Sequence, residues 1–434
     1  MSAKKRILNI LFWSVVSAAF IGPGTITTAA KSGAAFGTNL LWALLFSTLA
    51  CLLLQEAAAR LTMVSGKNLG QAIVHQFEKS QAKILVLLLV MGAIVVGAAA
   101  YEMGNLLGAV AGIRLIFDLP AWLLVLLIGG IAALILNIPS LKIISTIMGF
   151  VVVLMGIGFL ITAVTIRPEI AALLKGTFVP RFPSTNAAGL LVLGLIGTTI
   201  VPYNLFLGSG ISTQNQTIKE MRFGLAVAIL LGGLFSMAVL IVGAAVVSEF
   251  SFDSLSLALQ QKIGPAGKYL LGFGLFAAGL TSSVTAPLAS AITLKSLFGN
   301  KKPEKWTTGS LNFKLAWMIV LLIGIGFAVG NIKPIPAIIL AQALNGFLLP
   351  FVSIFLFIVI NNKEITGQQA NSFYLNLLMI IVIFITLILG LNSATKAFYS
   401  AFLPESSPGN AVLWGIGVVA ILISVWVWVK GKKK

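Results

Sequence analysis

The chain has 434 residues, 59% of them hydrophobic and only 9% charged, with a mean hydropathy of +1.06. Soluble globular domains carry far more charge, so a water-soluble enzyme or binding module is excluded and a polytopic membrane protein is left. The net charge of +18 does not mark a nucleic-acid partner: apart from the terminal KGKKK, the basic residues punctuate apolar segments, which is the pattern of membrane topology.

In chain order, the first apolar run covers about residues 7 to 36, is interrupted by Gly22-Pro23-Gly24-Thr25 and carries Lys31. It lacks a small-residue cleavage site and flows into further spans, so it is expected to stay in the protein. Apolar segments follow at about 39 to 62, 82 to 112, 120 to 139, 142 to 166 and 188 to 212. The second half gives 221 to 248, 265 to 297, 312 to 331, 334 to 360, 371 to 394 and 409 to 429. Each is near or above the ~20 residues needed to cross a bilayer, which makes about twelve spans. An even count puts both termini on one side. Of the 29 Lys and Arg, 20 fall in the termini and loops of that side and 8 on the other, with Lys31 set aside. That bias predicts cytoplasmic termini in a bacterial inner (plasma) membrane. Cys51 is the only cysteine, so neither a disulfide nor a thiolate pair is available. His75, the only histidine, falls in a loop. The stretch FSFDSLSLALQQKIG reads as a short amphipathic surface helix.

A second interruption lies in the sixth span, GLIGTTIVPYNLFLGSG, where Gly197-Thr198-Thr199 and Pro202 cut the run near its middle. It sits five spans after the first. Because five is odd, the two spans enter from opposite sides, and matched breaks at that offset point to an inverted repeat with substrate bound at the breaks. Unwound backbone at mid-membrane is tolerated only where it lines a cavity. The expected unwound segments are 22 to 25 and 198 to 203. The fold class is then an all-α polytopic membrane protein with a LeuT-type (APC-superfamily) 5+5 inverted repeat. One transporter domain is expected over 1–434, with repeats over 7–166 and 188–360 and two additional helices over 371–429.

Several stretches resemble the Nramp family of proton-coupled divalent metal transporters. FGTNLLWALLFSTLACLLLQEAAARLTMVSGKNLGQAI is similar to the second span and following loop of that family. GPGT falls where the family has Asp-Pro-Gly-Asn, and IVPYNLFLGS where it has Met-Pro-His-Asn and a second His. LFAAGLTSSVTAPLAS and LAQALNGFLLPF fit its spans 8 and 10. The resemblance covers about residues 10 to 360. It implies a substrate site formed by Gly22, Thr25, Thr198, Val201, Tyr203, Asn204 and Gln342. At these positions Gly22 replaces the family's aspartate, Thr25 its asparagine, Val201 its methionine, and Tyr203 and Gly208 its histidines. Glu102 and Asn105 replace the acidic pair of span 3, and Gln342 is retained.

A transition metal prefers a carboxylate with soft thioether or imidazole donors, and none stands at these breaks. Glu102 is the one acidic residue well inside a span and Lys31 the one basic residue so placed. Glu102 lies ~15 Å and Lys31 ~9 Å below the outer ends of their helices at 1.5 Å per residue. Their heights permit an ion pair; the alternative is that Lys31 snorkels to the outer interface. Lys31, Glu102 and Asn105 are therefore the candidate coupling group, with the pair as the expectation. Glu56, with Arg60 four residues on, reads as a structural pair.

The expected activity is secondary active transport by alternating access. An uncharged or carboxylate-bearing small solute is the first cargo, a divalent cation taken up largely hydrated the alternative, and a non-transporting sensor a third reading. No nucleophile-base constellation, phosphate loop or helical metal motif occurs, so no enzyme, cofactor or resident metal is expected. The partners are the transported solute or ion and the lipid bilayer.

Overall fold

The computed structural model describes residues 3–138, 156–183, 185–212, 216–299, 302–330, 332–402 and 408–432. Among these, every extended element is a helix. The first segment forms two helices, α1 (Ala3–Phe20) and α2 (Pro23–Phe36). They are followed by α3 (Leu41–Ser65), α4 (Leu69–Gln76), α5 (Lys83–Arg114), α6 (Ala121–Leu136) and α7 (Gly156–Ile166). The second half comprises α8 (Ile170–Phe178), α9 (Asn186–Thr199), α10 (Pro202–Ile211), α11 (Ile218–Gly243), α12 (Phe252–Ile263), α13 (Ala266–Phe298), α14 (Leu311–Val329) and α15 (Pro334–Ile360). Then come the short α16 (Lys363–Thr366), α17 (Phe373–Phe402) and α18 (Asn410–Lys432).

Nine of the described spans are long and apolar enough to cross a membrane. With α1 and α2 read as one broken span, and with the shorter apolar α6 and α7, they correspond to the segments expected from the sequence. Residues 142 to 155 of the expected fifth span lie outside the described residues. The surface helix expected in FSFDSLSLALQQKIG, residues 250 to 264, is α12, started by a capping box in which Ser251 and Ser254 satisfy each other's backbone N–H.

Both breaks are present, but each is shorter than expected. The interruption at the first is Ile21-Gly22 and at the second Ile200-Val201. The physical reason is the position of the prolines. Pro23 and Pro202 stand in the first turn of α2 and α10, where their missing N–H is not needed and their fixed φ suits a helix start. Each therefore begins a half-helix instead of lying in unwound chain.

The broken helices are held in a frame of long ones. α5 packs along α13, α15 lies against α9 and α5, and α11 carries α1 on one part of its length and α2 on another. Small residues allow backbones to approach this closely where lipid supplies no hydrophobic drive between helices. At the α2–α11 crossing, a β-carbon at Gly33 would stand 2.0 Å from the Leu240 carbonyl oxygen. One at Gly243 would stand 2.2 Å from that of Ala30. Neither neighbour is a flexible side chain, so neither can yield.

Gly33→Ala should consequently lower the stability of purified protein by about 1–3 kcal/mol through overpacking. Gly92→Ala, with nothing within 4 Å of the new methyl, should stabilise by up to about 1 kcal/mol, as expected of Gly→Ala in a helix interior. Thermal unfolding in detergent separates the two, and equal effects would contradict the close-crossing account.

Candidate functional site

The site is built where four helix ends meet. The carbonyl ends of α1 and α9 and the N-terminal ends of α2 and α10 stand at the two breaks, and no side chain caps α2 or α10. Breaking a helix frees backbone groups that lipid cannot satisfy, and the local hydrogen bonds replace some of them. The N–H of Ile21 donates to the Ser17 carbonyl at 2.8 Å and that of Gly22 to the Phe20 carbonyl at 3.0 Å. The Thr25 hydroxyl reaches back to the Phe20 carbonyl. It also stands 2.7 Å from the Thr198 hydroxyl across the gap. One threonine of α2 thus closes the end of α1 and ties the first break to the second.

α5 supplies the next group of residues. The Tyr101 hydroxyl lies 3.4 Å from the Thr198 carbonyl oxygen and 3.3 Å from its hydroxyl. Its ring meets Tyr203 edge to face with centroids 5.6 Å apart. One residue on, Glu102 is wholly buried, and its Oε2 accepts from the Asn105 amide at 3.4 Å. Asn105 in turn faces the first break: a β-carbon at Gly22 would lie 3.6 Å from Asn105 Oδ1 and 2.7 Å from Ser282 Oγ. α13 brings Ser282 and Ser283 here because Gly279 lets its backbone press against Asn105 and Ala109 of α5. α15 contributes Gln342, whose amide lies so near Gly24 that a β-carbon there would fall 2.0 Å from Nε2.

Many of these groups have no hydrogen-bond partner. Asn105 Oδ1, the hydroxyls of Tyr203 and Ser282, and both polar atoms of Gln342 are buried and unpaired, while the Ser283 hydroxyl stands beside the Glu102 carboxylate. Buried polar groups are ordinarily satisfied, and these offer hydrogen-bond donors and acceptors to a polar occupant at the breaks. Among the described residues no three His, Cys, Asp or Glu side chains gather to hold a metal ion. The lining is one carboxylate with neutral oxygens and amides.

Most of the residues expected from the sequence converge here: Gly22, Thr25, Thr198, Tyr203, Gln342, Glu102 and Asn105. Val201 is buried at the second break, as the residue preceding Pro202. Asn204 is buried, its Nδ2 donating to the Val16 carbonyl of α1 at 2.9 Å. The expected Lys31–Glu102 ion pair is absent. Lys31 is partly exposed on α2, whereas Glu102 is wholly buried among Asn105, Ser283 and Gly324. Similar heights on two helices do not make two side chains face each other, and a lysine stem can carry its charge towards the interface. Tyr101, Ser282 and Ser283 were not anticipated. Their signal lies in the run TSS of span 8 and in the tyrosine adjoining Glu102.

Comparison with known proteins places these observations in context. The family model described as natural resistance-associated macrophage protein-like, Nramp, matches residues 14–396. The divalent metal cation transporter MntH of Bacillus subtilis is 27% identical over 375 residues, covering 82% of this chain and 85% of its own. That of Yersinia pestis is 25% identical over 400 residues, covering 87% and 92%. Among solved structures, the Eremococcus coleocola manganese transporter, bound to an aromatic bis-isothiourea compound, superposes with a TM-score of 0.76 at 20% identity, over 100% of this chain and 97% of that one. MHP1, a nucleobase-cation-symport-1 family transporter, gives 0.58 at 14% identity, over 98% and 92%. At these identities the two structures attest the fold alone.

Two outcomes follow from the geometry. Thr25→Val and Thr198→Val should each destabilise, with a coupling of about 0.5–1.5 kcal/mol in a double-mutant cycle; additive effects would deny the bond across the breaks. Lys31→Gln should change stability by less than about 0.5 kcal/mol, as for a surface position away from special features, and additively with Glu102→Gln. A large loss rescued by Glu102→Gln would restore the ion pair.

Proposed function

The chain belongs to the Nramp family, and on that premise we propose that it carries a divalent metal cation across the membrane by alternating access about the two breaks. The observation that carries the reading is the buried polar lining of the breaks, in which Glu102, bonded to Asn105, is the one charged side chain. An occupant with its own hydrogen-bonding shell satisfies such a lining better than a bare ion does, since a dehydrated dication needs more counter-charge than one carboxylate supplies. Magnesium dehydrates reluctantly and is held through one or two carboxylates and several waters. Manganese also accepts oxygen donors. Both fit a lining without thioether or imidazole groups.

In this reading Glu102 supplies the charge. Asn105, Ser282, Ser283 and Gln342 bond to the water shell, and the ends of α1 and α9 add their negative dipole. Gly22, Thr25, Thr198, Val201 and Tyr203 form the walls. The two repeats, 7–166 and 188–360, rock about this point, with α17 and α18 as additions outside them. The basic loop bias favours both termini in the cytoplasm.

A small carboxylate-bearing solute is the second reading. It is favoured by the uncapped N-termini of α2 and α10, whose N–H groups suit an anion. It stands second because the one charged side chain gathered at the breaks is itself a carboxylate.

Proteoliposomes separate the two. Uptake of magnesium or manganese is expected, falling about 10- to 100-fold in Glu102→Gln, the loss typical when a group supporting a metal's shell is removed. Uptake of labelled amino acids, with no divalent cation movement, would overturn the proposal in favour of the solute.

A further inference from the structure

A groove lies away from the breaks, on a face with exposed apolar side chains. With a volume of about 680 Å³, it runs between α3, α11 and α17. Its walls are apolar, among them Leu49, Leu53, Leu378 and Ile381, and one end is closed by Glu56 and Arg222. Leu49 and Leu378 are half exposed, so the groove opens towards the acyl chains of the bilayer.

The charged end is unequally filled. Arg60 is buried: its Nε donates to Glu56 Oε1 at 2.9 Å, its Nη2 reaches Glu56 Oε2 at 3.3 Å, and its remaining donors meet the Gln369 carbonyl and the Asn371 amide oxygen. Arg222 uses Nε and Nη2 on the same Glu56 oxygen, at 2.9 and 2.8 Å, yet its side chain is 51% exposed. Two guanidinium groups therefore share one carboxylate, leaving a net positive charge at the mouth of an apolar groove. Lys219 lies exposed one turn before Arg222 on α11, and Arg6 stands over the Phe223 ring at 5.9 Å. The start of α1 thus brings a further cation to the same membrane face.

An apolar trench ending in cations is complementary to an amphiphile with an anionic head. We propose that the groove binds an anionic phospholipid of the leaflet on the side where α1 and α11 begin. One acyl chain lies along α3, α11 and α17, and the phosphate accepts from the open side of Arg222. The occupant also bridges α17, outside the two repeats, to α3 and α11 within them.

Native mass spectrometry of delipidated protein, titrated with phosphatidylglycerol or with phosphatidylcholine of the same chains, tests this. Wild type should retain phosphatidylglycerol roughly fivefold better, matching the ~1 kcal/mol that one basic residue contributes near an anionic surface. Arg222→Ala should bring the ratio to about one while Arg222→Lys keeps it. Glu56 remains paired with Arg60 in both variants, so folding is protected. Ala226→Trp, which fills the groove, should weaken both lipids without changing the ratio. A photoreactive acyl chain on phosphatidylglycerol should label α3, α11 and α17. Equal retention of the two lipids by wild type, a preference untouched by Arg222→Ala, or labelling elsewhere would overturn the proposal, as would a second copy of the chain covering the groove.

Discussion

The fold depends on one constraint: in lipid, a helix can be broken only where its freed backbone groups find partners. Here the partner is largely one side chain. Thr25 donates to the Phe20 carbonyl at the end of α1 and meets Thr198 at 2.7 Å across the gap. Pro23 and Pro202 begin the following half-helices without an N–H to satisfy. Each interruption is thereby held to two residues. The close packing around the breaks then depends on glycines, such as Gly279, which gives way to the Asn105 backbone, and Gly24, which gives way to the Gln342 side-chain amide.

The side chains gathered around that closure are polar. Among the described residues they bring one buried carboxylate, Glu102, together with unpaired oxygens and amides. The relatives named divalent metal cation transporters share the family but are only 25–27% identical to this chain. Gly22 shows how the difference is built. Its backbone angle of φ −118° is one any residue adopts, so flexibility does not explain the glycine. Space does, because Ser282 Oγ occupies the volume where a larger side chain would begin. In the proposed reading, a serine hydroxyl and the carboxylate one helix away take the part of a ligand carried on the break itself.

How much of this the sequence discloses depends on the kind of information needed. Gly and Pro cutting two apolar runs five spans apart are visible in one dimension, and so are the helix starts that capping residues mark, as at α12. The Glu56–Arg60 pair is legible because i and i+4 share a face. Depth along a helix is legible too, which is why Lys31 and Glu102 looked compatible. Rotation about the helix axis is not legible, and equal depth alone does not bring two side chains together. Likewise the unwound length was overestimated, since Gly and Pro mark a break without saying on which side of it the proline falls. Ser282, Ser283 and Arg222 join their clusters only through packing of helices distant in sequence.

The central claim is that a divalent cation sits between the breaks, held through water by neutral groups with Glu102 as its counter-charge. Anomalous X-ray diffraction from crystals soaked in manganese tests it most directly. The account predicts one peak between Gly22 and Val201, near Asn105 and Ser282, with protein oxygens too distant for direct coordination and closer to the spacing of a water bridge. A peak bonded directly to protein atoms elsewhere, or none at the breaks under saturating manganese or in competition with magnesium, would contradict it.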